Sequence, residues 1–103
     1  MQPRSIDITE NGRSLVIEWP SGRRDVLDAR QLWRDCPSAL GKVRRRNTPQ
    51  LEADSSLRIV AVTAVGNYAI NLAFSDGHDR GIYPWALLQE FAVRRKIQDF
   101  IIA

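Results

Sequence analysis

Cys36 and His78 are the only thiol and the only imidazole in the chain. Both side chains have the chemistry of metal ligation and of acid–base or nucleophilic work. His78 closes the run Ser75-Asp76-Gly77-His78, which offers a hydroxyl, a carboxylate and an imidazole within four positions. Adjacent residues of one turn rarely meet as nucleophile, base and orienter. The plainer reading is a hairpin turn in which Asp76 bonds backbone and Gly77 takes positive φ. No other group of residues offers an activated nucleophile or an acid–base pair at workable spacing, so the chain is not expected to be an enzyme acting alone.

Charge supplies a second candidate. Lys42-Val43-Arg44-Arg45-Arg46 is the densest positive run in the sequence. Lys42, Arg44, Arg45 and Arg46 could grip phosphate, RNA or an acidic protein face. No aromatic residue is interleaved for base stacking, which argues against a single-strand nucleic-acid binder. A solvated loop is the plain alternative. Trp19, Trp33, Trp85, Tyr68 and Tyr83 could line a ligand pocket, although core packing accounts for them as readily. Gly66-Asn67-Tyr68 reads as a strand-joining turn, because it lacks the glycines and the following helix of a phosphate loop.

The elements that must position these residues follow from periodicity and turn chemistry. Ser5 to Thr9 reads as a strand, Asn11-Gly12 as a tight turn, and Leu15 to Trp19 as the return strand. Pro20-Ser21-Gly22 turns the chain into a third strand over Arg23 to Leu27. Asp28 stands where a helix N-cap belongs, and residues 29–35 continue as a short helix that Pro37 stops. Residues 37–56 are the least regular stretch and read as a surface loop, partly mobile. Leu57 to Val65 is the clearest strand, and Tyr68 to Phe74, with alternating Ile70, Leu72 and Phe74, is its antiparallel partner. Arg80 to Tyr83 makes a last strand. Pro84 then suits the first position of a helix running to about Asp99. On that helix Trp85, Leu88 and Phe91 or Ala92 fit the core face. Val93, Ile97, Phe100 and Ile101 form a second stripe, a candidate face for pairing with another copy.

The 103 residues form a single domain (1–103) with 44% hydrophobic and 26% charged content, and a net charge of +3 that favours acidic partners only mildly. One cysteine forbids an internal disulfide and fits a reducing cytoplasm. Met1-Gln2-Pro3-Arg4 lacks an apolar run, so no signal peptide is expected. No stretch approaches the roughly 20 apolar residues that span a bilayer. The expected class is α+β: a mixed, mainly antiparallel β-sheet with one short helix and a longer C-terminal helix.

Four segments carry a resemblance. They are Leu15-Val16-Ile17-Glu18-Trp19 with the Gly22 turn; Leu32-Trp33-Arg34-Asp35-Cys36-Pro37; Val65-Gly66-Asn67-Tyr68-Ala69-Ile70; and Phe74 through Trp85. Together they resemble the N-terminal domain of gamma-butyrobetaine and trimethyllysine hydroxylases, over about residues 3–91, with residues 92–103 as a helical extension. The module also occurs fused to P-loop ATPases of iron–sulfur cluster assembly and as free-standing bacterial proteins. In the hydroxylases it holds zinc by three cysteines and one histidine. The resemblance places Cys36 at the first cysteine and His78 at the histidine, with Ser38 and Gly41 at the second and third cysteines. Two of four tetrahedral donors are therefore missing and the zinc site is degenerate. The iron triad of the hydroxylases needs two histidines and lies in a catalytic domain that follows the module, so that activity does not carry over.

The resemblance implies a non-catalytic protein-interaction module without a cofactor. It would present the Cys36–Arg46 loop together with Asp76 and His78 to a partner such as an oxygenase or an iron–sulfur assembly factor. Two alternatives stand beside it. One is a metal or iron–sulfur-related binding protein, holding zinc or iron through Cys36 and His78, completed by Asp76, Asp79 or a second chain. The other is a small basic nucleic-acid binder.

Overall fold

The computed structural model describes residues 2–38, 42 and 53–102, with side chains of the last helix described as far as Arg94. The candidates Gly41, Arg44, Arg45 and Arg46, most of the loop 37–56, and the side chains of Ile97, Phe100 and Ile101 lie outside the described residues.

Among the described residues six strands and two α-helices of more than one residue follow in order, with a short 3-10 helix at Glu10–Gly12. β1 (Ser5–Thr9), β2 (Ser14–Glu18) and β3 (Arg24–Asp28) form one antiparallel sheet. α1 (Ala29–Arg34) comes next. β4 (Ile59–Val65), β5 (Ala69–Phe74) and β6 (Gly81–Pro84) form a second antiparallel sheet, and α2 (Trp85–Ile102) ends the chain. The α+β class, the antiparallel pairing, the short helix and the longer C-terminal helix are as the sequence implies. The strands, however, divide into two three-stranded sheets. Pro84 pairs with Ala69 as the last residue of β6, and α2 begins one residue later.

Alternation drives the core. Leu15, Ile17 and Leu27 from the first sheet meet Ile70, Leu72, Phe74 and Tyr83 from the second. Leu32 and Trp33 of α1 and Leu88, Phe91 and Ala92 of α2 fill the same cluster. Asp28 caps α1 as expected, its Oδ1 accepting from the Arg30 N–H at 2.8 Å. Trp19 is buried, and its indole N–H donates to Asp25 at 2.8 Å. Asp25 in turn takes the Arg23 guanidinium at 2.9 Å, so this buried carboxylate is fully engaged.

The sheets meet along β1 and β4. At one end the Gln2 amide donates to the Asn67 carbonyl at 3.1 Å. At the other end Gly12 presses on β4, and a Cβ there would lie 2.7 Å from the Ile59 carbonyl oxygen. Gly12 lies in a short left-handed run: φ is 54° at Glu10, 58° at Asn11 and 91° at Gly12. Only glycine both fits the contact and holds that φ without cost. α2 closes the opposite side against β3 and β6.

Candidate functional site

Cys36 and His78, 42 positions apart, come together. α1 ends at Arg34, and the chain turns so that the Cys36 N–H donates to the Trp33 carbonyl at 3.4 Å. This swings the thiol into the core, where it is fully buried. His78 arrives from the turn between β5 and β6. The Gly77 N–H donates to Phe74 O at 3.0 Å and the Phe74 N–H to His78 O at 2.9 Å. Gly77 takes φ 92°, and Asp76 Oδ1 accepts from the His78 N–H at 3.0 Å. Turn, backbone bond and positive φ are those expected of Ser75-Asp76-Gly77-His78.

The His78 ring stacks on Phe74, with centroids 6.2 Å apart, and its Nε2 lies 3.1 Å from Cys36 Sγ. Ser38 completes a triangle, its Oγ 3.3 Å from Cys36 Sγ and 3.5 Å from His78 Nε2. The three residues that the resemblance assigns to one metal site therefore converge, and the second cysteine position holds a hydroxyl. Neutral hydroxyl oxygen is a poor zinc donor beside sulfur and nitrogen. Among the described residues no group of three or more His, Cys, Asp and Glu could hold a metal ion. The donors present do not fit a structural zinc cage.

Three further contacts hold the triangle. The Trp33 indole N–H donates to Asp76 Oδ2 at 2.8 Å, tying α1 to the turn. The Tyr83 hydroxyl donates to the Leu32 carbonyl at 2.6 Å, tying β6 to α1. Gly81 lies directly under the thiol, and a Cβ there would stand 2.5 Å from Cys36 Sγ and 2.9 Å from the Tyr83 ring. Sequence reading missed the Trp33–Asp76 bond and the demand for glycine at 81. A tryptophan beside a turn acidic residue is too common a pattern to signal the first, and nothing local signals the second.

Asp76 is thus bonded internally on both oxygens, and His78 is buried. Of the basic run only Lys42 is described, and it is exposed. Val93 is exposed on α2. A separate cleft of about 500 Å³ opens near the sheet seam, lined by Glu10, Arg13, Asp28 and Arg30 among others, and none of the residues singled out by their chemistry reaches it. Asp54, in the segment leading to β4, has its carboxyl held below the ordinary range by the Ser56 hydroxyl and then the Ser56 N–H.

Two antiparallel sheets, a short helix ending at a buried thiol and a turn presenting an imidazole to it define a small α+β module. It is organised around the contact between Cys36 Sγ and His78 Nε2. The chain belongs to the gamma-butyrobetaine hydroxylase-like N-terminal domain family, whose model matches residues 6–89. Among solved structures it is similar to a protein of unknown function of the DUF971 family from Acidithiobacillus ferrooxidans, at 29% identity and TM-score 0.71, covering 88% of this chain and 92% of that one. A structure solved by solution NMR matches at 28% identity and TM-score 0.70, covering 91% and 70% of the two chains. Another matches at 25% identity and TM-score 0.68, covering 99% and 83%. No curated protein matches. Among the described residues no helix is long and apolar enough to cross a membrane.

Proposed function

We propose that this chain is a non-catalytic protein-interaction module in which the family's metal position has become part of the hydrophobic core. One observation carries the reading: Cys36 Sγ and His78 Nε2 bond each other at 3.1 Å, and Gly81 packs so closely under the thiol that a Cβ there would stand 2.5 Å from it. A catalytic metal needs an open coordination position, and a structural one needs four donors. Here thiol and imidazole satisfy one another. Lys42 and the 75–77 turn are exposed and free to face a partner, and the sequence adds Arg44, Arg45 and Arg46 to Lys42 as candidates. By family resemblance the partner is an oxygenase or an iron–sulfur assembly factor.

The same 3.1 Å contact favours a second reading. A thiol and an imidazole already adjacent would form half of a site that a second chain completes. Affinity purification from the native cell, with metal analysis of the same sample, separates the two. A co-purifying protein without stoichiometric metal, lost when Arg44, Arg45 and Arg46 are all changed to alanine, supports the interaction module. Stoichiometric zinc or iron that survives mild chelation would replace it with the second reading.

A further inference from the structure

Of the asparagines, Asn11 alone precedes glycine; Asn47, Asn67 and Asn71 precede Thr48, Tyr68 and Leu72. An asparagine before glycine is the pair most prone to lose its side-chain amide, because the glycine nitrogen is not shielded by a Cβ. The reaction needs the Gly12 nitrogen against Asn11 Cγ, so that a five-membered ring can close. The fold holds that nitrogen elsewhere. Asn11 has φ 58° and ψ 34°. In an L residue Cβ stands about 120° beyond the backbone nitrogen around the Cα–C bond, so this ψ sets the Gly12 nitrogen about 155° from the Asn11 Cβ. The two are nearly anti, whereas ring closure needs them nearly eclipsed. The turn is held in that state from both sides. The Arg13 N–H donates to the Glu10 carbonyl at 3.2 Å, and the Ala29 N–H to the Arg13 carbonyl at 2.8 Å. Gly12 is buried against β4, where a Cβ would lie 2.7 Å from the Ile59 carbonyl oxygen and 2.9 Å from the Arg58 Cβ. Rotating ψ of Asn11 to the reactive value swings Gly12 off that contact. Asn11 itself is exposed, so backbone conformation, not burial, protects its amide.

We propose that Asn11 is a site of spontaneous covalent modification gated by the seam between the two sheets, and that its isoaspartate product unseats that seam. When the seam opens, the Gly12 nitrogen gives its proton to base and bonds Asn11 Cγ, and the side-chain amide leaves as ammonia. Water then opens the succinimide at either carbonyl, leaving aspartate or isoaspartate, and no atom is oxidised or reduced. Aspartate keeps the main chain as it was and accepts the left-handed region as asparagine does. Isoaspartate routes the main chain through the former side chain and lengthens it by a carbon. The added atom displaces either the Arg13–Glu10 bond or the approach of Gly12 to Ile59, the two contacts that hold this end of the seam. The step is irreversible in water, so each chain keeps a record of whether its seam has opened, and the isoaspartate chains close less well afterwards. Local opening of this kind lies below global unfolding in free energy, which lets the native protein age through it.

The test follows the full chain at mildly alkaline pH by peptide mass spectrometry, in native buffer, in graded urea below the unfolding transition, and in urea above it. Unfolded, Asn11 should convert ahead of Asn47, Asn67 and Asn71. In native buffer its conversion should be slower by about tenfold or more, and below the transition its rate should track hydrogen exchange of the Arg13 amide. Equal rates in the folded and unfolded chain would overturn the gate, as would a native rate that ignores urea while Arg13 exchange responds. The product is tested by isolating the isoaspartate chain and comparing it with Asn11→Asp made directly. Isoaspartate should lower the thermal midpoint by several degrees, and Asn11→Asp, which carries the same charge on an unlengthened main chain, should leave it near the parent. An isoaspartate chain that melts with the parent would overturn the unseating, and equal losses in both would assign the effect to charge and overturn it as well.

Discussion

Gly81→Ala is the sharpest probe of the thiol–imidazole contact. Gly81 has no positive φ, so alanine is acceptable to the backbone and by unfolded-state entropy alone would stabilise the domain by about 0.4–1 kcal/mol. The structure reverses that sign. The new methyl would stand 2.5 Å from Cys36 Sγ and 2.9 Å from the Tyr83 ring, both fully buried, so neither can retreat into solvent. Overpacking of this kind costs about 1–3 kcal/mol. Displacing the sulfur from its 3.1 Å contact with His78 adds the roughly 0.5–1.5 kcal/mol of a hydrogen bond. The net loss is about 1–3 kcal/mol, or on the order of 10 °C in thermal midpoint for a domain of this size. Urea unfolding of a double-mutant cycle with Cys36→Ala isolates the cause. With the sulfur removed, only the contact with Tyr83 remains, so Gly81→Ala should cost at least about 1 kcal/mol less than in the parent. If the penalty is the same in both backgrounds, the sulfur is not what glycine accommodates and the packing described around Cys36 is wrong.

Asp76→Ala removes the acceptor of the Trp33 indole and of the His78 N–H together, and should cost about 1–3 kcal/mol in urea unfolding. Asp76→Asn, which keeps an acceptor oxygen, should recover part of that loss. The parent chain should show no stoichiometric zinc binding at neutral pH. Ser38→Cys combined with Gly41→Cys should create it, visible as a cobalt–thiolate absorption band, and absence of the band would break the residue assignment taken from the family. Asp54 should titrate by carbon NMR below an ordinary aspartate and move back up in Ser56→Ala. Because its folded pKa is depressed, what it adds to stability is present above its unfolded pKa and disappears as pH falls through the folded value.

Much of the fold could be read from the chain because its signals are local. β1 coincides with Ser5–Thr9, Asp28 caps α1, and the alternation of Ile70, Leu72 and Phe74 gives the buried face of β5. The division into two sheets could not be read. Hairpins specify pairing between neighbours in sequence, whereas the break between β3 and β4 depends on contacts far apart in the chain. Pro84 satisfies a helix start and an edge strand equally, and β6, whose partner lies on one side only, tolerates its missing N–H. Asp25 was unreadable as a buried residue, since alternation puts it inside only once Trp19 is seen to offer it an indole N–H. The candidate site was half legible. The resemblance paired Cys36 with His78, but the full burial of the thiol follows from where α1 ends and from the absence of a side chain at Gly81.

A metal cage and a hydrogen-bonded core can hold the same three segments, but at very different strength. A structural zinc ion contributes about 10–16 kcal/mol of apparent binding energy, which folding can draw on. The bonds joining α1, the 75–78 turn and β6 here are Cys36 to His78, Trp33 to Asp76 and Tyr83 to Leu32, each worth about 0.5–1.5 kcal/mol net. They cannot replace a cage by themselves. Apolar burial must supply the difference: Trp33, Leu32, Cys36 and Tyr83 belong to the same cluster as the inner faces of both sheets. A thiol that would ligate metal in the full site packs here as a small apolar group, and glycine beneath it is what makes the packing close. The hydrogen bonds then fix register, and the hydrophobic core carries the energy. That division accounts for how Cys36, Ser38 and His78 stay together on hydrogen bonds and packing alone.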